Sequence, residues 1–223
     1  MYALFAGGIV VAYFFGSVPF GLLLARARGK DLRAIGSGNI GATNVARALG
    51  RKWGYVCFLL DVLKGLLPVV GVRALAATLP GETTSIAGPA FLALWLAVGI
   101  AAIVGHIFPI YLRFKGGKGV STSFGVALGI WPYFTLSAAV ALVVWVAVVL
   151  VWRYISLASI CASAAFAAAL VVAIAVNSSW RASALWPLLL AATAIPVLVI
   201  VRHRENIKRL ASGTEGKIRS KKK

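Results

Sequence analysis

This sequence is poor in acid. Five carboxylates, Asp31, Asp61, Glu82, Glu205 and Glu215, stand against 23 lysines and arginines, with only two histidines and two cysteines. So few oxygen, nitrogen and sulfur ligands, at no regular spacing, leave no sign of a metal cage. A His-x4-Asp acyltransferase pair is absent, because five residues after His106 comes Tyr111 and five after His203 comes Lys208. A Ser-His-Asp triad would have to be assembled in space, since no spacing points to one. Cys57 and Cys161 both fall in apolar stretches, where a thiol is a small packing group and implies no disulfide. Charge is scarce too: 13% of residues are charged and 61% are hydrophobic. The mean hydropathy is +0.94. A soluble domain carries about a quarter charged residues, and so little polar surface cannot cover this many apolar helices. A soluble helical protein is excluded.

Apolar runs, in contrast, recur throughout. About 20 helical residues cross a hydrocarbon core of roughly 30 Å, and seven segments read as crossings: Ala3–Leu24, Gly54–Val72, Pro89–Ile110, Val120–Trp131, Tyr133–Val151, Ile155–Val176 and Leu185–Val201. The run from Val120 to Trp152 is too long for one crossing, at about 50 Å. Trp131-Pro132 supplies a break, because proline removes a backbone donor and disfavours helix in the residue before it. The first segment lacks the basic flank and small-residue cleavage site of a signal peptide, so it reads as a mature helix.

Charge decides the count. Lysine and arginine gather in short cytoplasmic loops. With seven crossings and the N-terminus outside, the inner segments hold Arg26, Arg28, Lys30, Arg33, Arg47, Arg51, Lys52, Arg113, Lys115, Lys118, Arg153 and the nine cations from Arg202 onward. Only Arg73 and Arg181 stay outside. Six crossings would turn the basic tail outward. The expected fold is therefore an all-α polytopic membrane protein with seven transmembrane helices and a cytoplasmic C-terminus. It forms one domain over 1–223, with a basic tail over 202–223. Asp61 and Lys64 lie one turn apart on the second crossing and should pair.

Topology alone recruits cations, and basic tails attract anionic headgroups. That does not explain why inner segments are also rich in Gly, Ser, Asn and Thr. The first such segment runs from Gly36 to Val45 and is followed by Arg47 and Arg51. Its glycines permit left-handed turns whose amides form a concave anion site. A helix starting near Gly41 or Ala42, capped by Asn39 or Thr43, would set Arg47 and Arg51 on one face. The second, Phe114 to Thr122, places Gly116-Gly117-Lys118-Gly119 before a helix, an arrangement suited to phosphate. It is not a P-loop: Leu112 stands at the first glycine position and Gly119 at the Ser/Thr position. The third, His203 to Lys217, reads equally as an amphipathic helix on lipid headgroups. A weaker patch spans Arg153 to Ser159. Together they describe a cationic, glycine-lined, carboxylate-poor site at headgroup level, where a phosphorylated soluble substrate can meet an acyl donor from the bilayer.

Three motifs resemble one family. Ser37-Gly38-Asn39-x-Gly41-Ala42-Thr43-Asn44-Val45 with Arg47 resembles the first motif of the bacterial acyl-phosphate:glycerol-3-phosphate acyltransferases, the PlsY family. Gly105-His106-x-Phe108-Pro109 with Phe114 to Val120 resembles the second, and His203-x-x-Asn206-Ile207 with Gly213-Thr214-Glu215 the third. The resemblance covers nearly the whole chain in order. It implies seven helices in a bacterial cytoplasmic (inner) membrane, with the active site on the cytoplasmic face. The implied reaction joins acyl phosphate to the sn-1 hydroxyl of glycerol 3-phosphate, giving 1-acylglycerol 3-phosphate and phosphate for phospholipid biosynthesis. It also implies Ser37, Arg47, Lys118, Ser156, His203 and Asn206 as catalytic residues. Substrate phosphate would be held by Gly38, Asn39, Gly41, Thr43, Asn44, Gly116, Gly117 and Gly119. Glu215 is expected to be structural, pairing with inner cations. Ser121 departs from the family's usual alanine. The expected partners are glycerol 3-phosphate, acyl phosphate, membrane lipids and the enzyme supplying acyl phosphate; no cofactor, metal or nucleic acid is expected. The alternatives are a transporter of a phosphorylated anion, which would place broken helices at the bilayer midplane, and a basic membrane scaffold.

Overall fold

The computed structural model describes residues 1–79 and 88–218. Glu82 and the terminal cations Arg219, Lys221, Lys222 and Lys223 lie outside the described residues. The described chain is helical throughout. Its helices are α1 (Tyr2–Ser17), α2 (Phe20–Arg26), α3 (Ala42–Leu49), α4 (Arg51–Ala76), α5 (Pro89–Ile107), α6 (Val120–Gly129), α7 (Thr135–Trp152), α8 (Ile155–Val176), α9 (Ala182–Arg202) and α10 (Arg204–Ala211). Among the described residues six spans are long and apolar enough to cross a membrane: Tyr2–Arg26, Arg51–Ala76, Pro89–Leu112, Thr135–Trp152, Ile155–Val176 and Ala182–Arg202.

Two segments depart from the expected crossings. The stretch expected as one helix over Ala3–Leu24 is broken at Val18, which is extended at ψ 118°. Pro19 causes this by disfavouring the helical conformation in the residue before it. The segment expected over Val120–Trp131 is helical only to Gly129. Ten residues rise about 15 Å, half a hydrocarbon core, so α6 is not among the six long spans. The break expected at Trp131-Pro132 lies just beyond it, and α7 begins at Thr135.

The chain divides into two compact units, Met1–Trp131 and Pro132–Lys223. In the first, α5 packs on α1 and α4, and α6 packs on α4. Glycines set these distances. A methyl group on Gly16 or Gly105 would meet the facing backbone of α5 or α1, and one on Gly65 or Gly125 that of α6 or α4. Helices surrounded by lipid gain little from burying apolar area, so close backbone approach at small residues supplies the van der Waals contact instead. In the second unit α8 packs between α7 and α9. Phe134 and Phe166 make an edge-to-face contact at 5.1 Å.

Candidate functional site

The first motif is a loop between α2 and α3, pinned from inside by Asn44. That side chain is 1% exposed on the first turn of α3. Its Nδ2 donates to the carbonyls of Leu32 (3.0 Å) and Ile35 (2.9 Å), while Oδ1 accepts from the Ser37 amide (3.2 Å). Both amide protons of Asn44 are thus spent on the loop itself. Leu32, Ile40 and Val45 anchor the loop from below, in an apolar cluster with Leu22, Ala25 and Cys57. Gly36 (φ +60°) and Gly38 (φ +65°) take the left-handed turns that let the chain curl round Asn44. Asn39 Oδ1 accepts from the Gly41 amide at 2.9 Å, forming a local turn, and Gly41 rather than a side chain caps α3.

What the loop leaves outward is Ser37 and Arg47, both exposed, with Thr43 half-buried. Among the described residues Arg47 makes no ion pair. The expected shared helix face of Arg47 and Arg51 is not formed. Gly50, at φ +93°, ends α3, and Arg51 opens α4.

The second motif folds back onto the end of α5. Arg113 (φ +50°) and Phe114 (φ +62°) are both left-handed, a conformation that costs a non-glycine residue about 1–2 kcal/mol. Three hydrogen bonds hold the turn: Phe114 donates to Pro109 (3.0 Å), Gly116 to Ile107 (3.2 Å) and Gly117 to His106 (3.0 Å). The amides of Gly116 and Gly117 therefore face α5. Their missing side chains matter as well. A methyl on Gly117 would enter the His106 ring, and one on Gly116 would meet the carbonyls of His106 and Ile107. Gly119, at φ +88°, starts α6, with Lys118 half-buried just before it. The two loops are joined by Arg33, whose Nη2 donates to the Lys115 carbonyl at 3.2 Å. Ser37 and Lys118 thus stand on neighbouring loops of one unit, with Arg47 on the last turn of α3.

Ser156, His203 and Asn206 belong to the second unit, and Glu215 gathers two of them. Glu215 Oε1 accepts from Ser156 Oγ and Asn206 Nδ2, each at 2.7 Å. Arg209 Nε reaches Oε2 at 2.7 Å. The Glu215 side chain is 6% exposed. Burial pushes its carboxyl up, but the hydrogen bonds from Ser156, Asn206 and Arg209, with the arginine's charge, outweigh that and hold it below its ordinary value. The Ile218 amide donates to Arg153 at 2.8 Å, fastening the tail beyond. His203 Nδ1 lies 2.8 Å from the Val199 carbonyl. A carbonyl only accepts, so Nδ1 carries the proton, and in a neutral ring Nε2 is the basic nitrogen.

Three supporting residues are not legible as such in the sequence. Arg33 and Arg209 look like any topogenic cations. His106 stands in the second motif, yet only its contact with Gly117 shows what it supports.

An all-helical chain whose described residues hold six membrane-length apolar spans, with glycine-shaped loops at helix ends, defines an integral membrane protein. The profile of the glycerol-3-phosphate acyltransferase family matches residues 6–213. A glycerol-3-phosphate acyltransferase of Geobacter sulfurreducens is 49% identical over 94% of this chain and 95% of its own. That of Aquifex aeolicus is 41% identical over 93% and 95%. The crystal structure of PlsY (YgiH), an integral membrane glycerol 3-phosphate acyltransferase in its glycerol 3-phosphate form, is similar with a TM-score of 0.79. It is 37% identical and covers 96% of each chain. The chain belongs to the glycerol-3-phosphate acyltransferase family.

Proposed function

We propose that this protein acylates the sn-1 hydroxyl of glycerol 3-phosphate from acyl phosphate, releasing 1-acylglycerol 3-phosphate and inorganic phosphate. Family membership supports the acceptor. The observation that carries the mechanism is the loop pair of the first unit, beside which Arg47 is exposed with no ion pair among the described residues and Lys118 stands at the start of α6. An exposed arginine and a lysine at a helix start, on a glycine-shaped surface, suit two phosphates, one from each substrate. Ser37 adds a hydroxyl, and Gly38, Asn39, Gly41, Thr43, Asn44, Gly116, Gly117 and Gly119 shape the loops. Ser156, His203 and Asn206 complete the proposed catalytic set. Glu215 holds Ser156 and Asn206 in place.

The donor is a mixed anhydride and arrives activated. The acceptor oxygen bonds to the acyl carbon, the carbon–oxygen bond to phosphate breaks, and phosphate leaves with the electron pair. The protein's work is positioning and charge stabilisation. The hydroxyl proton passes to the acceptor's own phosphate, whose second pKa is about 6 in monoesters; His203 Nε2 is the competing base. This chemistry calls for no metal.

The deciding experiment uses purified protein in detergent with both substrates. Lysophosphatidic acid formed without a sealed compartment supports the enzyme; its absence, with anion flux in vesicles, would instead favour a transporter. Chelator is expected to leave the rate intact, and glycerol without its phosphate is expected not to be acylated. Loss of activity in chelator that a divalent ion restores would overturn the metal-free step.

The whole chain acts as one acyltransferase domain, a reading supported by the family match over 6–213. It crosses the bacterial cytoplasmic membrane seven times, with α6 and its flanking turns as the short fourth crossing and the motif loops inside. Support comes from the asymmetry of basic residues. Reporters after Met1 and Lys223 should read as external and cytoplasmic; both ends on one side would remove this topology.

A further inference from the structure

The first unit buries an acid, a base and an imidazole together, and the proposed chemistry uses none of them. Asp61 and Lys64 are 2% and 1% exposed, on a helix long and apolar enough to span a membrane. Lys64 Nζ reaches Asp61 Oδ1 at 2.9 Å and donates to the Val18 carbonyl, also at 2.9 Å, where α1 breaks before α2. Asp61 Oδ1 also faces His106 Nδ1 at 3.7 Å, an electrostatic contact rather than a hydrogen bond. Cys57 Sγ lies 3.7 Å from the other carboxylate oxygen. His106 then meets the second motif twice: its carbonyl takes the Gly117 amide, and its ring fills the space a side chain at 117 would need.

A connected line of contacts therefore runs from the α1–α2 break through Lys64, Asp61 and His106 to Gly117, next to Lys118. The loop it reaches is not relaxed. Arg113 and Phe114 sit in left-handed backbone that persists only where surrounding contacts over-determine it. Nearby, the backbones of α4 and α6 touch at Gly65 and Gly125, so α4 also seats the helix that this loop begins. Charges this deep in an apolar helix are costly to keep, and a hydrophobic pair would have packed the same helices.

We propose that Asp61, Lys64 and His106 are positioning residues. The ion pair fixes the His106 ring, and the ring fixes the Gly116–Gly119 turn so that Lys118 is presented to phosphate. The placement of the loop is read from geometry alone; its consequence for glycerol 3-phosphate rests on the function proposed above.

The test uses the full-length protein in detergent, with three variants and two readouts. His106→Gln leaves the ion pair intact. Asp61→Asn removes the charge. The double variant Asp61→Lys/Lys64→Asp restores a pair but moves the carboxylate one turn from His106. Each should raise the KM for glycerol 3-phosphate about tenfold or more, with kcat falling less, as misplacing a binding group by about 1 Å can cost up to about a hundredfold. Trypsin should cut faster after Lys115 and Lys118, with cleavage after Arg28 and Lys30 unchanged. Rescue of wild-type KM by the double variant would mean that the pair only stabilises the fold. A folded His106→Gln protein with wild-type KM and wild-type cleavage would overturn the proposal, even if both Asp61 variants failed to fold. Were the wild type inactive toward glycerol 3-phosphate, the functional reading would fall, while cleavage after Lys115 would still decide whether the three residues hold the loop.

Discussion

Two polar assemblies in this chain draw on the same few residue types, arginine, serine, asparagine and glycine, and arrange them in opposite ways. In the first unit the inward groups are satisfied by the loop itself, Asn44 by Leu32, Ile35 and Ser37. Around that loop the charge is directed outward, with Arg47 exposed and no carboxylate paired to it among the described residues. In the second unit the charge is inside: Glu215 collects Ser156, Asn206 and Arg209 on its two oxygens. A cation left without a carboxylate can gain from an arriving anion, whereas a saturated carboxylate has already gained what it can from its neighbours. On the function proposed above, the first arrangement binds. The second is built to hold Ser156 and Asn206 still and to fasten the chain beyond α10.

That contrast can be broken most directly at Arg47 and Lys118. A hydrogen bond to a charged group contributes about 1.5–3 kcal/mol, so Arg47→Ala or Lys118→Ala should lower kcat/KM by about ten- to a hundredfold with little change in thermal midpoint. Steady-state kinetics beside a thermal melt would show it; a fallen midpoint with proportionate activity loss would mean these cations serve the fold. Glu215→Ala should do the reverse and cost about 2–3 kcal/mol of stability, because three donors lose their acceptor. A denaturation series followed by tryptophan fluorescence is the check, and wild-type stability would end the distinction between the two assemblies.

A smaller effect is expected from Gly117→Ala, which drives a methyl into the His106 ring. Overpacking of this kind costs about 1–3 kcal/mol and should raise the KM for glycerol 3-phosphate more than it lowers kcat. Gly71→Ala, which meets nothing within 4 Å, is the control that should leave both constants alone.

Acid should loosen the second assembly and spare the first. Because the folded-state pKa of Glu215 is lowered, its stabilising contribution is complete above the ordinary carboxylate range and disappears as pH falls through the lowered value. Protease release of residues beyond Ser212 should therefore quicken only on acidification; release that quickens toward alkaline pH would contradict the assignment. The least effect should come from Arg33→Ala, which deletes one exposed hydrogen bond to Lys115. At about 0.5 kcal/mol, the low end for a net hydrogen bond, it should change KM about twofold.

Much of the architecture was readable from residues alone because hydropathy is a local property. A run such as Ile155–Val176 has helical length and composition in itself, and α8 occupies those same residues. Where expectation and structure part, one local term was outweighed by another: Pro19 breaks an apolar run that hydropathy alone joins, and Gly50 separates two arginines that spacing alone aligns. The i, i+3 pair of Asp61 and Lys64 was legible for the same reason, since one helical turn sets its distance.

By itself, then, the sequence determined that this is a polytopic membrane protein, where its apolar spans lie, and which three motifs tie it to its family. Those properties sum over neighbouring residues and need no partner at a distance. Only the tertiary structure decided that Asn44 is spent on its own loop, that Gly117 is a seat for His106, that His106 shares Asp61 with Lys64, and that Glu215 draws Ser156 and Asn206 together. Each of these joins residues from 7 to 59 positions apart, and a side chain's hydrogen-bonding or steric duty at that range depends on how the helices pack.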